Sequence, residues 1–139
     1  MKNKITKKRI SIQSAKAKGR KLQQWTSSKI SEITGIKWGP DELISSRGGG
    51  QSGTDVALIG EAKTLFPFSI ECKAQETYSM PSFIKQSKDN QLPNTDWLLV
   101  IKRKQEKPTV TMDAESFFKM YEKTIPKKGY FMNREEIPQ

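Results

Sequence analysis

The sequence has 139 residues, 34% of them apolar, which is enough to bury the core of one domain but not of two full-sized ones. One cysteine excludes an internal disulfide framework, and the lack of histidine excludes histidine-based zinc sites and catalytic triads. No apolar run reaches the ~18 residues of a membrane span, and the basic N-terminus lacks the apolar segment of a signal peptide. We therefore expect a soluble, cytoplasmic protein with no membrane partner.

Positive charge is concentrated at the N-terminus. The net charge is +10, from 25 basic and 15 acidic residues, and residues 1–21 contain nine of the basic residues and no acid. Such a segment suits nucleic acid, because neutralised phosphates release condensed counterions. The alternatives are a tail that only keeps the protein soluble and, less favoured because no amphipathic stripe precedes residue 19, one that meets an anionic membrane. We predict a flexible basic arm over residues 1–17. The predicted DNA-binding residues here are Lys7, Lys8, Arg9, Lys16, Lys18, Arg20 and Lys21.

Apolar residues at helical spacing predict a first helix over residues 19–35 that ends at Gly35, with Trp25 in the core. A loop with one short strand near residue 44 follows. The later predicted elements are strands at 54–60, 66–75, 96–103 and 107–112 and helices at 79–91 and 114–124. This order predicts an α/β fold with a central mixed sheet flanked by helices, formed by residues 18–125 and followed by a polar tail at 126–139.

The stretch "RGGGQSGTD" at 47–55 has the G-x-G-x-x-G spacing of a dinucleotide-binding loop. Such a loop follows a buried strand and opens a helix, whereas this one precedes a predicted strand. A phosphate-binding P-loop also fails, because Thr54 stands where its lysine should be. We interpret the stretch as a loop that leads from Arg47, a further candidate DNA contact, to Asp55. Its glycines would let a phosphodiester approach the backbone closely.

Side chains alternate along "FSIECKAQ" at 68–75, so that Glu71 and Lys73 share one face and apolar residues the other. Pairing of this strand with residues 55–60 would bring Asp55 next to Glu71. Two carboxylates without a histidine suit Mg²⁺, which takes one or two protein carboxylates and completes its shell with water and phosphate. The alternative is that Glu71 and Lys73 are solvated neighbours on a half-exposed strand.

Thr-Asp at 54–55, fifteen intervening residues and Glu-Cys-Lys at 71–73 resemble the signature of PD-(D/E)XK nucleases, with Thr54 in place of the usual proline. The resemblance covers roughly residues 18–105. It implies a restriction-endonuclease-like core in which Asp55 and Glu71 bind Mg²⁺, or Mn²⁺ in its place. It also implies that the main-chain carbonyl of Cys72 is a third ligand and that Lys73 is the catalytic lysine in phosphodiester hydrolysis.

The small size, basic arm and glycine-rich loop look most like phage endonucleases and Holliday-junction-resolvase-like proteins. That likeness implies an endonuclease acting on branched DNA as a homodimer, encoded by a phage and active in the host cell. Such resolvases usually carry a glutamate on the first helix, where this chain has Gln23 or Gln24, and some relatives present a polar residue like Gln86 on the second helix. The alternatives are a non-catalytic DNA-binding accessory protein and a phage DNase without structure preference.

Overall fold

The computed structural model describes residues 2–47, 53–77 and 79–127, with side chains from residue 12 onward. Its helices are α1 (Lys2–Thr34), α2 (Glu61–Leu65), α3 (Met80–Asp89) and α4 (Ala114–Glu122). Its strands are β1 (Ile44–Ser46), β2 (Val56–Leu58), β3 (Phe68–Lys73), β4 (Asp96–Ile101) and β5 (Thr109–Thr111). Most of the tail predicted at 126–139 lies outside the described residues, as does the loop at 48–52.

The strands form one sheet in the order β1-β2-β3-β4-β5. Neighbouring strands are antiparallel except β3 and β4, which are parallel and are joined through α3. A parallel pair needs such a crossover, whereas an antiparallel pair can be joined by a short connection. The predicted α/β fold with a mixed sheet flanked by helices is therefore confirmed.

The two faces of the sheet are covered by different helices. On one face α1 packs through Leu22 and Ile30 against a core that includes Ile70 and Cys72. On the other face α3 covers Trp97 and its neighbours on β4. Residues 97–101 of β4 are all buried, because alternate side chains of this strand enter the two cores.

Helix α1 is longer than predicted. Its backbone is helical from Lys2, so the segment predicted as a flexible arm continues into the same helix. It ends as predicted at Gly35, whose φ of +74° favours glycine and whose N–H donates to the Ser31 carbonyl at 2.9 Å. Trp25 was expected in the core, but its side chain is 43% exposed, and that prediction is wrong.

Two further helices, α2 and α4, complete the fold. The connection at 61–65 between β2 and β3 forms the short helix α2, which buries Ala62. The last helix forms as predicted, but its aromatic residues Phe117, Phe118 and Tyr121 stay exposed.

Candidate active site

The pairing of β2 with β3 brings two carboxylates together. Val56 lies opposite Ile70, and the Asp55 N–H donates to the Ile70 carbonyl at 2.9 Å. The next position along this antiparallel ladder places Asp55 beside Glu71, and directly opposed residues project from the same face. The structure thus joins two residues that fifteen others separate in the sequence.

The carboxylate of Asp55 is held by the backbone of β3. Its Oδ2 accepts the main-chain N–H of Cys72 at 2.8 Å. Before it in the chain, Thr54 is buried and donates its hydroxyl to the Val56 carbonyl at 3.2 Å. The start of β2 is therefore anchored on both sides of Asp55, and this anchoring orients the carboxylate toward the end of β3.

Glu71 lies deeper than the sequence suggested. Its side chain is 2% exposed, because α3 covers this face of the sheet, so the half-exposed strand considered above is not what the chain forms. Its Oε1 accepts a hydrogen bond from Nδ2 of Asn90 at 2.8 Å. Asn90 is the C-cap of α3, and sequence analysis missed it because an asparagine after a helix is ordinarily assigned to capping alone.

The surroundings of Glu71 favour its neutral form. Burial is the main cause that raises the pKa of Glu71 from 4.5 to about 7, and the negative charge of Asp55 raises it further. The Asn90 hydrogen bond and the positive charge of Lys73 act in the opposite direction. The carboxylate pair is thus a site of unfavourable negative charge, which a bound cation would stabilise.

Lys73 projects from the same face of β3 as Glu71, two residues further on. Its half-buried side chain places Nζ 5.1 Å from the centroid of the Phe83 ring on α3. An ammonium over an aromatic face is held by the ring quadrupole. The structure therefore groups Asp55, Glu71 and Lys73 at the carboxyl end of β3.

This donor set fits a small, hard cation. Asp55 and Glu71 supply carboxylate oxygens, the ligand type that Mg²⁺ prefers, and such sites are usually completed by water and phosphate. Within the described residues, no group of three or more His, Cys, Asp or Glu side chains is arranged to hold a metal. Burial raises the pKa of the Cys72 thiol to about 12, and the thiol points to Thr26 at 3.7 Å, so Cys72 can contribute only its main-chain carbonyl.

The two predicted accessory glutamines lie on different helices, α1 and α3. Gln24 is exposed on α1, which covers the Cys72 face of the sheet rather than the Glu71 face. Gln86 is exposed on α3, and its main-chain carbonyl accepts the Asn90 N–H at 3.0 Å. Gln86 therefore lies on the helix that covers Glu71, and its main chain supports the helix end that holds that carboxylate.

The predicted DNA contacts are partly described. Lys16, Lys18, Arg20 and Lys21 are exposed on α1, whereas the side chains of Lys7, Lys8 and Arg9 lie outside the described residues. The Arg47 N–H donates to the Asp55 carbonyl at 2.8 Å, and a Cβ added at Gly53 would lie 3.5 Å from Nη1 of Arg47. Its guanidinium thus lies beside the glycine that precedes Thr54 and Asp55.

No protein-family model, curated protein or solved structure matches this chain. Among the helices in the described ranges, none combines the length and the apolar character needed to cross a bilayer. The function must therefore be argued from the site itself.

Proposed function

We propose that this chain is a metal-dependent endonuclease that hydrolyses phosphodiester bonds in DNA. The observation that carries the proposal is the grouping of two carboxylates and one ammonium, Asp55, Glu71 and Lys73, at one end of β3. This grouping agrees with the resemblance to PD-(D/E)XK nucleases, which rests on the same three positions.

Each residue has a role that its position supports. Asp55 and Glu71 would hold Mg²⁺, or Mn²⁺ in its place, and the bound ion would supply a water of lowered pKa and positive charge next to the phosphate. Asn90 keeps the Glu71 carboxylate oriented through its hydrogen bond. Lys73 would stabilise negative charge as it develops on the phosphate, since its ammonium lies on the same face.

DNA as the substrate is supported by the distribution of charge. Exposed lysines and arginines follow α1, and Arg47 lies beside the strand that carries Asp55. Such side chains contact phosphates and position a duplex without reading its sequence. The preference for branched DNA and the twofold dimer come from the resemblance, and a dimer would provide the two symmetric cuts that a junction requires.

A cleavage assay tests the proposal. Purified protein is incubated with a labelled four-way junction and with a matched linear duplex, each in magnesium or in chelator. We expect magnesium-dependent paired cuts in the junction. Cuts in both substrates would support a DNase without structure preference, and the structure-specific part of the proposal would fail.

Two variants separate chemistry from binding. Lys73→Ala should abolish cleavage and retain DNA binding. Lys88→Ala is the matched control, because this substitution removes the same charge. Lys88 also places its ammonium near an aromatic ring, 5.9 Å from the Trp97 centroid. If the wild-type protein binds DNA tightly and cuts neither substrate, the endonuclease proposal is wrong and the accessory interpretation replaces it.

A further inference from the structure

A cavity of about 410 Å³ opens on the α1 side of the sheet, where β3 and β4 end. Its apolar walls are Leu22 and Trp25 of α1, Ala74 after β3 and Pro108 before β5. This volume lies in the range of small-ligand sites, ~300–1,000 Å³. Ala74 directly follows Lys73 but packs on the α1 side, so the cavity and the proposed catalytic lysine lie on opposite faces of the sheet.

Positive charge surrounds the cavity. Lys18 and Lys21 line it from α1, and Lys102 and Lys104 line it from the loop after β4, together with Arg103. The acidic residue in its lining is Glu76, whose Oε1 already accepts the Lys104 N–H at 2.7 Å. A ligand that fills this cavity should therefore carry negative charge.

The exposed aromatic ring of Trp25 indicates a second property of the ligand. An indole face in an apolar recess is a stacking surface for a planar ring, and a nearby cation, Lys29 Nζ at 5.9 Å from the ring centroid, borders it. A planar ring joined to an anionic group is the chemistry of a nucleotide. Stacking platforms combined with cationic grooves are characteristic of single-strand binding.

We infer that this cavity binds an unpaired nucleotide of a DNA strand, with its base on Trp25 and its phosphate beside the surrounding lysines. The inference rests on the proposed function, which supplies DNA as the substrate. A strand fits better than a free nucleotide because Lys18 and Lys21 on α1 and Lys102 and Lys104 after β4 supply more positive charge than one phosphate needs.

The test measures binding without cleavage. A fluorescein-labelled oligothymidylate and a duplex of equal length are titrated with protein in chelator, and anisotropy gives the dissociation constants. Trp25→Leu should bind the single strand roughly tenfold more weakly, and Trp25→Phe should retain most of the affinity, because stacking needs an aromatic face. Duplex affinity should change little. Ile33→Ala is the control, since Ile33 is an exposed apolar residue of the same helix that does not line the cavity.

The outcomes separate this inference from the nuclease proposal. Equal single-strand affinity of Trp25→Leu and wild type, with both proteins folded by thermal melting, would overturn the cavity assignment even if cleavage occurs. Thymidine monophosphate that competes as well as the oligonucleotide would overturn the assignment to a strand. A protein that cuts nothing yet binds the single strand through Trp25 supports the cavity and refutes the nuclease.

Discussion

Replacing Glu71 by Gln should stabilise the metal-free protein at alkaline pH. Gln has the shape of the carboxylate, can accept the Asn90 hydrogen bond through its oxygen, and can donate to Asp55 through its amide. It removes only the buried negative charge. Because Glu71 is 2% exposed and lies beside a second carboxylate, that charge opposes folding whenever no cation is bound.

The magnitude follows from the difference between the two pKa values. A carboxyl whose pKa rises from 4.5 in the unfolded chain to about 7 in the folded protein takes up a proton on folding. Its contribution to stability is fully present below pH 4.5 and is lost as the pH rises through 7. The shift corresponds to ~3 kcal/mol of unfolding free energy above neutrality, and to less than about 1 kcal/mol near pH 5.

Urea unfolding followed by circular dichroism, in chelator, measures this difference. The Glu71→Gln variant should exceed the wild type by ~3 kcal/mol near pH 8, with the two proteins converging as the pH falls toward 5. Glu32→Gln serves as the control, because Glu32 is an exposed α1 residue paired with Lys29 at 3.3 Å. Parallel pH profiles of wild type and Glu71→Gln would refute the reasoning from burial and the Asp55 charge.

Three further results are expected. At a hundredfold excess over its Kd, magnesium near pH 8 should raise the unfolding free energy of the wild type by ~2.7 kcal/mol in urea unfolding. The Glu71→Gln variant should gain much less, and equal gains would contradict a metal held by Glu71. Asn90→Ala should lower the unfolding free energy by ~1–3 kcal/mol in the same assay, because Oε1 of Glu71 loses its donor, and an unchanged value would show that the bond contributes nothing. Removing residues 1–17 should flatten the salt dependence of DNA binding in anisotropy titrations while sparing the magnesium effect, and an unchanged salt slope would exclude this segment from the DNA contact.

The central part of the site could be predicted because strand geometry is periodic. Alternation along residues 68–73 assigns Ile70 and Cys72 to one face and Glu71 to the other, whatever the rest of the chain does. A short connection to the preceding strand then makes an antiparallel partner available, and Asp55 is the carboxylate at its start. Both inferences need only local spacing, and the observed register agrees with them.

The other features of the site and fold depend on how the helices pack on the sheet, which the local spacing of residues does not determine. Asn90 meets Glu71 only because α3 crosses the sheet at a particular position and ends there. Trp25 has the helical spacing of a core residue, but its side chain is exposed and lines a cavity instead. Helix α2 is five residues long, too short to show a helical period.

The buried position of Cys72 has a practical consequence for mapping how DNA lies on the protein. It is the only cysteine of the chain, and its thiol is covered by α1. Maleimide reagents should therefore leave the native protein unlabelled. A cysteine introduced at a chosen surface position would become the unique attachment point for a photo-crosslinker or a spin label, with no need to alter the strand that bears the site.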